Sequence, residues 1–290
     1  MEKLKYIITM TMFGTIGLLV KNIELTPSEI VFYRSFIAMI VIFGTVLVMK
    51  RGKFNIELKG NWLPLLVSGL MLCLNWAFVF TAYMYTSISN AILCYYMAPI
   101  FVMILSPVIL KERFLKIKYL FVFLSILGMG FLIGANLNNL DNRNLIGIGF
   151  GILSAVFYAT LIISSKLIKN INSIEVALYQ FFIIIIVLLP YIYKNNGIRV
   201  FNIPFKSLIL LLILGVVHSG IGYMAYISSV RKLKSDVIAI YSYIDPIVTI
   251  VLSTIFFHEK IGLLQVVGGI LILGSTFLSE MWEIKHKGAN

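Results

Sequence analysis

The segment Asp236-Val-Ile-Ala-Ile-Tyr241-Ser-Tyr243-Ile-Asp245-Pro246-Ile-Val-Thr-Ile-Val-Leu-Ser-Thr-Ile-Phe-Phe257 decides how this chain is read. It is long enough to cross a bilayer at about 1.5 Å per residue. Yet it carries a carboxylate and a helix breaker side by side at its centre. A charge at that depth costs roughly 2.5–3.5 kcal/mol. The proline removes a backbone donor and frees a carbonyl one turn earlier, near Tyr241. Lipid satisfies neither group, so both are expected to face a polar cavity or a neighbouring helix. Together they suggest a solute path.

Outward from this segment, apolar stretches of similar length recur along all 290 residues: 6–21, 29–49, 62–84, 88–110, 117–135, 145–165, 174–193, 206–229, 236–257 and 262–281. The expectation is an all-α polytopic membrane protein with ten transmembrane helices and short connections. Composition agrees: 60% of residues are hydrophobic, 12% are charged, and the mean hydropathy is +0.99, far from a soluble domain's balance. The N-terminal apolar run lacks a small-residue cleavage site and is read as the first span, not as a signal peptide. Cys73 and Cys94 both fall inside apolar spans, so no disulfide framework is implied.

The net charge of +12 reports topology, not a nucleic-acid partner. With the N-terminus in the cytosol, 17 of the 24 Lys and Arg residues fall on inner segments and six on outer ones, with Arg34 inside the second span. The inner groups are Lys3/Lys5, Lys50–Lys59, Lys111–Lys118, Lys166/Lys169, Arg231–Lys234 and Lys285/Lys287. This is the positive-inside pattern, which predicts both termini in the cytoplasm; the expected location is a cell inner (plasma) membrane. The outer loop from Lys194 to Lys206 runs against it.

The two halves repeat each other at a shift of 146–147 residues. Glu29, Tyr33 and Phe36 fall on Glu175, Tyr179 and Phe182; Gly69 falls on Gly215 and Ser89 on Ser235. Tyr96, Pro99, Ser106 and Glu112 fall on Tyr243, Pro246, Ser253 and Glu259. Prolines and glutamates are rare in or beside spans, so they carry the comparison. Five helices per half is odd, so the copies, residues 1–140 and 141–290, are expected to be inverted in the membrane. Inverted repeats typify secondary transporters with a midplane site at the repeat interface.

Both copies end in a pattern that resembles the EamA family of the drug/metabolite transporter superfamily. The second copy has Pro246, then His258-Glu259-Lys260, Gln265-Val-Val-Gly268 and Leu271-Ile-Leu-Gly274. The first keeps Pro99, Lys111-Glu112-Arg113 and Gly128, with Phe121 where a glycine is expected. Phe32-Tyr33-Arg34-Ser-Phe36-Ile-Ala38 is also similar to that family. The resemblance covers essentially the whole chain. It implies ten helices, two inverted halves and alternating access around a central cavity, usually for export of small metabolites.

Several residues are candidates for lining such a cavity. Tyr95 and Tyr96 precede Pro99 as Tyr241 and Tyr243 precede Pro246, giving phenols that stack on a ring or cation and hydrogen-bond a polar group; the alternative is helix packing with satisfied hydroxyls. Asp245 has Ala98 as its first-half counterpart, an asymmetry that favours a specific task. It is read as the counter-ion of a substrate amine or as a proton carrier, against a neutral aspartic acid bonded to a neighbouring helix. His218, mid-span, is the second proton-coupling candidate, or a satisfied interhelical hydrogen bond. Arg34 either grips a substrate carboxylate or serves structure, snorkelling outward or pairing with Glu29 one turn above. Asn75 and Trp76 offer a polar hand beside a large flat surface. Glu112 and Glu259 read as structural markers of helix ends. Gly130-x-x-x-Gly134 and Gly147-x-x-x-Gly151 permit close helix approach, within the monomer or in a homodimer.

No metal-ligand spacing, phosphate-cradling loop or nucleophile motif is present, so no cofactor and no enzyme activity are implied. The expected protein is a secondary carrier of small metabolites, with amino acids or related amine/carboxylate compounds as the best substrate class. Its partners are a small-molecule substrate, the bilayer and a coupled proton, and its hinges Pro99 and Pro246. The rival readings are multidrug efflux of lipophilic cations and a lipid flippase of the same superfamily.

Overall fold

The computed structural model describes residues 1–49, 60–111, 116–137, 142–195, 197–230, 232–233 and 235–286. Glu112 and Arg113, the Lys50–Lys59 group, Arg231, Lys234, Lys287 and the expected boundary at 140/141 lie outside them. All regular structure among the described residues is helical: α1 (Glu2–Phe13), α2 (Ile16–Lys21), α3 (Pro27–Met49), α4 (Trp62–Tyr85), α5 (Ile88–Tyr95), α6 (Ala98–Ile109), α7 (Ile117–Leu137) and α8 (Asn142–Lys166) in the first part of the chain. Then follow α9 (Ser173–Asn195), α10 (Phe205–Leu212), a π-helical stretch (Ile213–Gly222), α11 (Tyr223–Val230), α12 (Ser235–Ser242), α13 (Ile244–Phe257) and α14 (Leu263–His286). These compose ten candidate spans, from Glu2–Lys21 to Leu263–Trp282, each long and apolar enough to cross a membrane. The protein is a multi-pass membrane protein.

Four spans are interrupted among the described residues, two of them beside a proline. The first span breaks at Gly14–Thr15, between α1 and α2. The fourth breaks at Tyr96–Met97, so that Pro99 opens α6, where its missing N–H is harmless. The ninth breaks at Tyr243, three residues before Pro246. The carbonyl that Pro246 cannot bond is Ser242's, one residue beyond the turn position first considered, and the Tyr96 hydroxyl lies 3.4 Å from it. The eighth span is wound as a π-helix at its centre, with bonds from residue i to i−5.

Neighbouring spans pair across the chain: α4 with α8, α3 with α9, α7 with α14 and α5 with α13. The α7–α14 contact is the tightest backbone approach. A Cβ on Gly268 would lie 2.6 Å from the Gly128 carbonyl oxygen, and one on Gly128 would lie 2.7 Å from that of Gly268. Gly147 and Gly151 likewise admit Thr86 and Cys94, whereas a Cβ on Gly130 or Gly134 would meet nothing within 4 Å among the described residues. The close-approach role expected of both glycine pairs therefore applies within the described chain only to the second. The αL residues Lys111 and His258, φ 56° and 52°, end the fourth and ninth spans.

At the end of the bundle away from the termini, α3 starts with a reciprocal cap, in which Thr26 N–H donates to Glu29 (2.8 Å) and Glu29 N–H faces the Thr26 hydroxyl (3.4 Å). Arg199, in the loop before α10, closes on the fully buried Glu29 carboxylate with two 3.0 Å bonds. On the same end, Glu259 accepts from the Ile88 N–H (2.7 Å), the Ser89 N–H (3.2 Å) and the Ser89 hydroxyl (2.7 Å). It caps the start of α5 from the loop after α13. Ser89 also meets Ser253 at 2.9 Å, and the Lys21 ammonium lies 4.0 Å from Glu259.

Candidate functional site

A cavity of about 540 Å³ occupies the middle of the bundle and extends toward the end that holds both termini. Every span except the fifth and seventh contributes to its lining. The expected residues Arg34, Trp76, Tyr95, Tyr96, Pro99, His218 and Asp245 all line it.

Asp245 stands at the first turn of α13, just after the break at Tyr243. Its carboxylate accepts from the Tyr96 hydroxyl at 3.0 Å and lies 3.4 Å from the Thr249 hydroxyl. Thr249 also reaches the Gly14 carbonyl at the break in the first span, 3.1 Å away. Three interrupted spans thus converge on one carboxylate, and no cation among the described residues pairs with it.

Arg34 does not pair with Glu29, whose carboxylate is taken by Arg199. The guanidinium turns inward, is only 3% exposed, and stacks on Trp76 at 3.9 Å and on Phe80 at 5.3 Å from the ring centres. Its Nε–H donates to the Ser219 hydroxyl at 2.8 Å. No carboxylate among the described residues lies within ion-pair distance, so four of its five N–H groups are left to the cavity. A buried cation in that condition is costly unless an anion arrives.

His218 and Ser219 are consecutive, yet both face the cavity. In an α-helix neighbours point about 100° apart; the π-helical winding narrows that angle and turns both inward. His218 bonds on both sides: Nε2 lies 2.9 Å from the Thr15 hydroxyl and Nδ1 lies 3.2 Å from the Ile213 carbonyl.

Three expected residues and one hinge are elsewhere. Tyr243 packs behind Tyr96, its hydroxyl donating to Thr276 at 2.9 Å and its ring edge-on to Phe277. Asn75 is fully buried and donates to the Ser154 carbonyl of α8 at 2.9 Å, facing away from the cavity. Tyr241 lies under the Lys3 ammonium, 4.7 Å from its ring centre. Pro246 is buried outside the lining.

The cavity also holds residues that the sequence reading passed over. Tyr6, Tyr226 and Tyr223 form a stacked series, with ring centres 6.1 and 6.4 Å apart, that continues through Phe181 to Trp76 and Arg34. Opposite, Tyr158 stacks on Tyr95 at 5.1 Å. Glu280 of α14 adds a second carboxyl to the lining. The spacing of Tyr6, Met10 and Phe13, one helical stripe, was the available signal. Among the described residues no group of three or more His, Cys, Asp or Glu is placed to hold a metal ion.

The model of the EamA-like transporter family matches residues 4–134 and 145–281. The chain is 28% identical to the uncharacterized transporter YxxF of Bacillus subtilis, over 95% of this chain and 88% of that one. It is 26% identical to the pseudopaline exporter CntI of Pseudomonas aeruginosa, over 90% and 89%. It is 24% identical to human solute carrier family 35 member G1, over 91% and 74%. A solved crystal structure superposes with a TM-score of 0.63, covering 95% of this chain and 96% of its own at 16% identity, a likeness of fold.

Proposed function

The chain belongs to the EamA-like transporter family, and we propose that its cargo is a small metabolite bearing both an amine and a carboxylate, with amino acids as the best single class. One observation carries this reading: Arg34 and Asp245, opposite charges without an ion partner in the described chain, face one aromatic cavity. A zwitterion supplies both missing partners at once, the carboxylate meeting Arg34 and the ammonium meeting Asp245. A lipophilic cation satisfies Asp245 but meets the repulsion of an uncompensated guanidinium.

Transport is read as alternating access between two inverted five-helix halves, 1–140 and 141–290, moving at the interrupted spans. The cavity's reach toward the termini, and the polar contacts at the other end, correspond to a state facing the side of the termini. The basic inner segments support a cytoplasmic position for that side, and a plasma membrane is the proposed location. The direction, export, is supported by the exporter among the relatives. A proton is the proposed coupling ion, carried by Asp245 in exchange for the cargo ammonium.

Counterflow in proteoliposomes tests the reading, with labelled amino acids, a simple amine, a simple carboxylate and a lipophilic cation, beside an Arg34→Met variant. The reading expects zwitterions to exchange and the variant to lose them while remaining monodisperse. Exchange of the lipophilic cation alone, undiminished in the variant, would replace it with multidrug efflux.

A further inference from the structure

We infer that Thr15, at the break in the first span, is the positioning residue that lets His218 hold a proton beside the Arg34 subsite. The Ile213 carbonyl only accepts, so Nδ1 of His218, 3.2 Å away, carries a hydrogen in every state. The Thr15 hydroxyl has one hydrogen and two acceptors in reach: the Met12 carbonyl at 2.7 Å and His218 Nε2 at 2.9 Å.

Two arrangements satisfy every group. In the first, His218 is neutral and the Thr15 hydroxyl donates to bare Nε2. The Met12 carbonyl then keeps the Thr15 backbone N–H, 3.0 Å away. In the second, a proton from the cavity has joined Nε2, which donates to the Thr15 oxygen, and Thr15 turns its hydrogen to Met12. They differ by one proton and one hydroxyl rotation, and no bond between heavy atoms changes. A hydroxyl can do this because it donates and accepts; neither a carbonyl nor a methyl can.

The site is joined to the cargo site by sequence adjacency. Ser219, the next residue, accepts from Arg34 Nε–H at 2.8 Å. The charged groups facing the same cavity are Arg34 from α3, Asp245 from α13 and Glu280 from α14. The ionisable hydroxyls are Tyr6 from α1, Tyr95 and Tyr96 at the fourth-span break, Tyr158 from α8, and Tyr223 and Tyr226 from α11. Arg34 repels a proton on His218 while its own N–H groups are free, and a cargo carboxylate relieves that repulsion. Proton binding at His218 and carboxylate binding at Arg34 therefore favour each other, by the same factor in both directions. This linkage rests on the proposed cargo reading; the proton site itself does not.

The test is nitrogen NMR of the histidine side chains in nanodiscs without cargo, titrated between about pH 8 and pH 5. His218→Gln assigns the signal against His258 and His286. The parent is expected to convert from the singly to the doubly protonated ring, and Thr15→Ser to follow it. Thr15→Val removes the acceptor of a charge-assisted bond, about twice as strong as a neutral one. Its proton affinity is expected to fall roughly ten-fold, so that the ring converts about one pH unit lower than in the parent. A parent that stays neutral to about pH 5, or a Thr15→Val variant that titrates like the parent, would overturn the inference. Should the valine variant not fold, Thr15→Ala removes the same hydroxyl and is read in the same way. Because no cargo is added, failure here is separate from failure of the zwitterion reading.

Discussion

Replacing Asp245 with asparagine separates charge from shape at the proposed ammonium site. The structure indicates why the fold tolerates the change. The carboxamide keeps one oxygen to accept from the Tyr96 hydroxyl, which lies 3.0 Å from the carboxylate in the parent. The new amide nitrogen faces Thr249, whose hydroxyl accepts from it while donating to the Gly14 carbonyl 3.1 Å away. Every hydrogen bond has a successor, so thermal stability is expected to hold within about 1 kcal/mol. What is lost is the bond between an ammonium and a charged acceptor, worth about 1.5–3 kcal/mol. At about 1.4 kcal/mol per factor of ten, affinity for an amine-bearing zwitterion should fall roughly 10- to 150-fold. The assay is concentration-dependent counterflow at matched reconstitution, with a carboxylate lacking the amine as internal control. Because Asp245 is also the proposed proton carrier, maximal proton-driven flux should fall too, whereas exchange at saturation should persist. An unchanged half-saturation concentration for zwitterions would refute the counter-ion role.

Two further outcomes follow from packing and from the seal at the end away from the termini. Gly268→Ala places a Cβ 2.6 Å from the Gly128 carbonyl and 3.1 Å from the Leu132 nitrogen, both backbone atoms that cannot turn aside. It should cost about 1–3 kcal/mol and lower the melting midpoint, whereas Gly274→Ala, with nothing within 4 Å, should not; equal midpoints would contradict the α7–α14 contact. The Ser89 and Ser253 hydroxyls meet at 2.9 Å, so cysteines in their places are expected to come within reach of each other. Oxidised Ser89→Cys/Ser253→Cys protein should neither import nor export label until reduced, and unaltered exchange with the bridge formed would rule out opening at this seal.

The spans were legible in sequence because lipid enforces them: a run of roughly 20 apolar residues has few other uses. Asp245, Arg34 and His218 were legible for the same reason, each being expensive where it stands. The partition among the aromatics was not. Tyr243 and Asp245 are two residues apart, and such neighbours lie on opposite sides of a helix. With Asp245 inward, Tyr243 had to turn to Thr276. Its repeat counterpart Tyr96 escapes that constraint because Asp245 has no counterpart, Ala98 standing in its place. Asn75 and Trp76 diverge similarly, one to Ser154 and one to Arg34. The π-helical winding that brings His218 and Ser219 onto one face has no composition signature. Tyr226 and Glu280 were hidden by the last turns of their spans, where polar residues are ordinarily read as interfacial.

The four interruptions share a physical reason for their position. An interrupted helix leaves backbone groups that hydrocarbon cannot satisfy, so it persists at membrane depth only against protein or a polar cavity. Here the interruptions touch one another. The Tyr96 hydroxyl of the fourth span lies 3.4 Å from the Ser242 carbonyl of the ninth, and Gly14 of the first accepts from Thr249 of the ninth. Thr15 of the first meets His218 of the eighth. Gly14 must be glycine for this to hold, since a Cβ there would lie 2.7 Å from Val248 and 2.9 Å from the Asp245 carbonyl. Among the described residues all four interrupted spans line the cavity, together with four uninterrupted ones, and the fifth and seventh do not. The backbone groups freed by the breaks and the charges that await a cargo thus occupy the same volume. A motion that moves the cavity from one side to the other must therefore exchange the partners of both sets together.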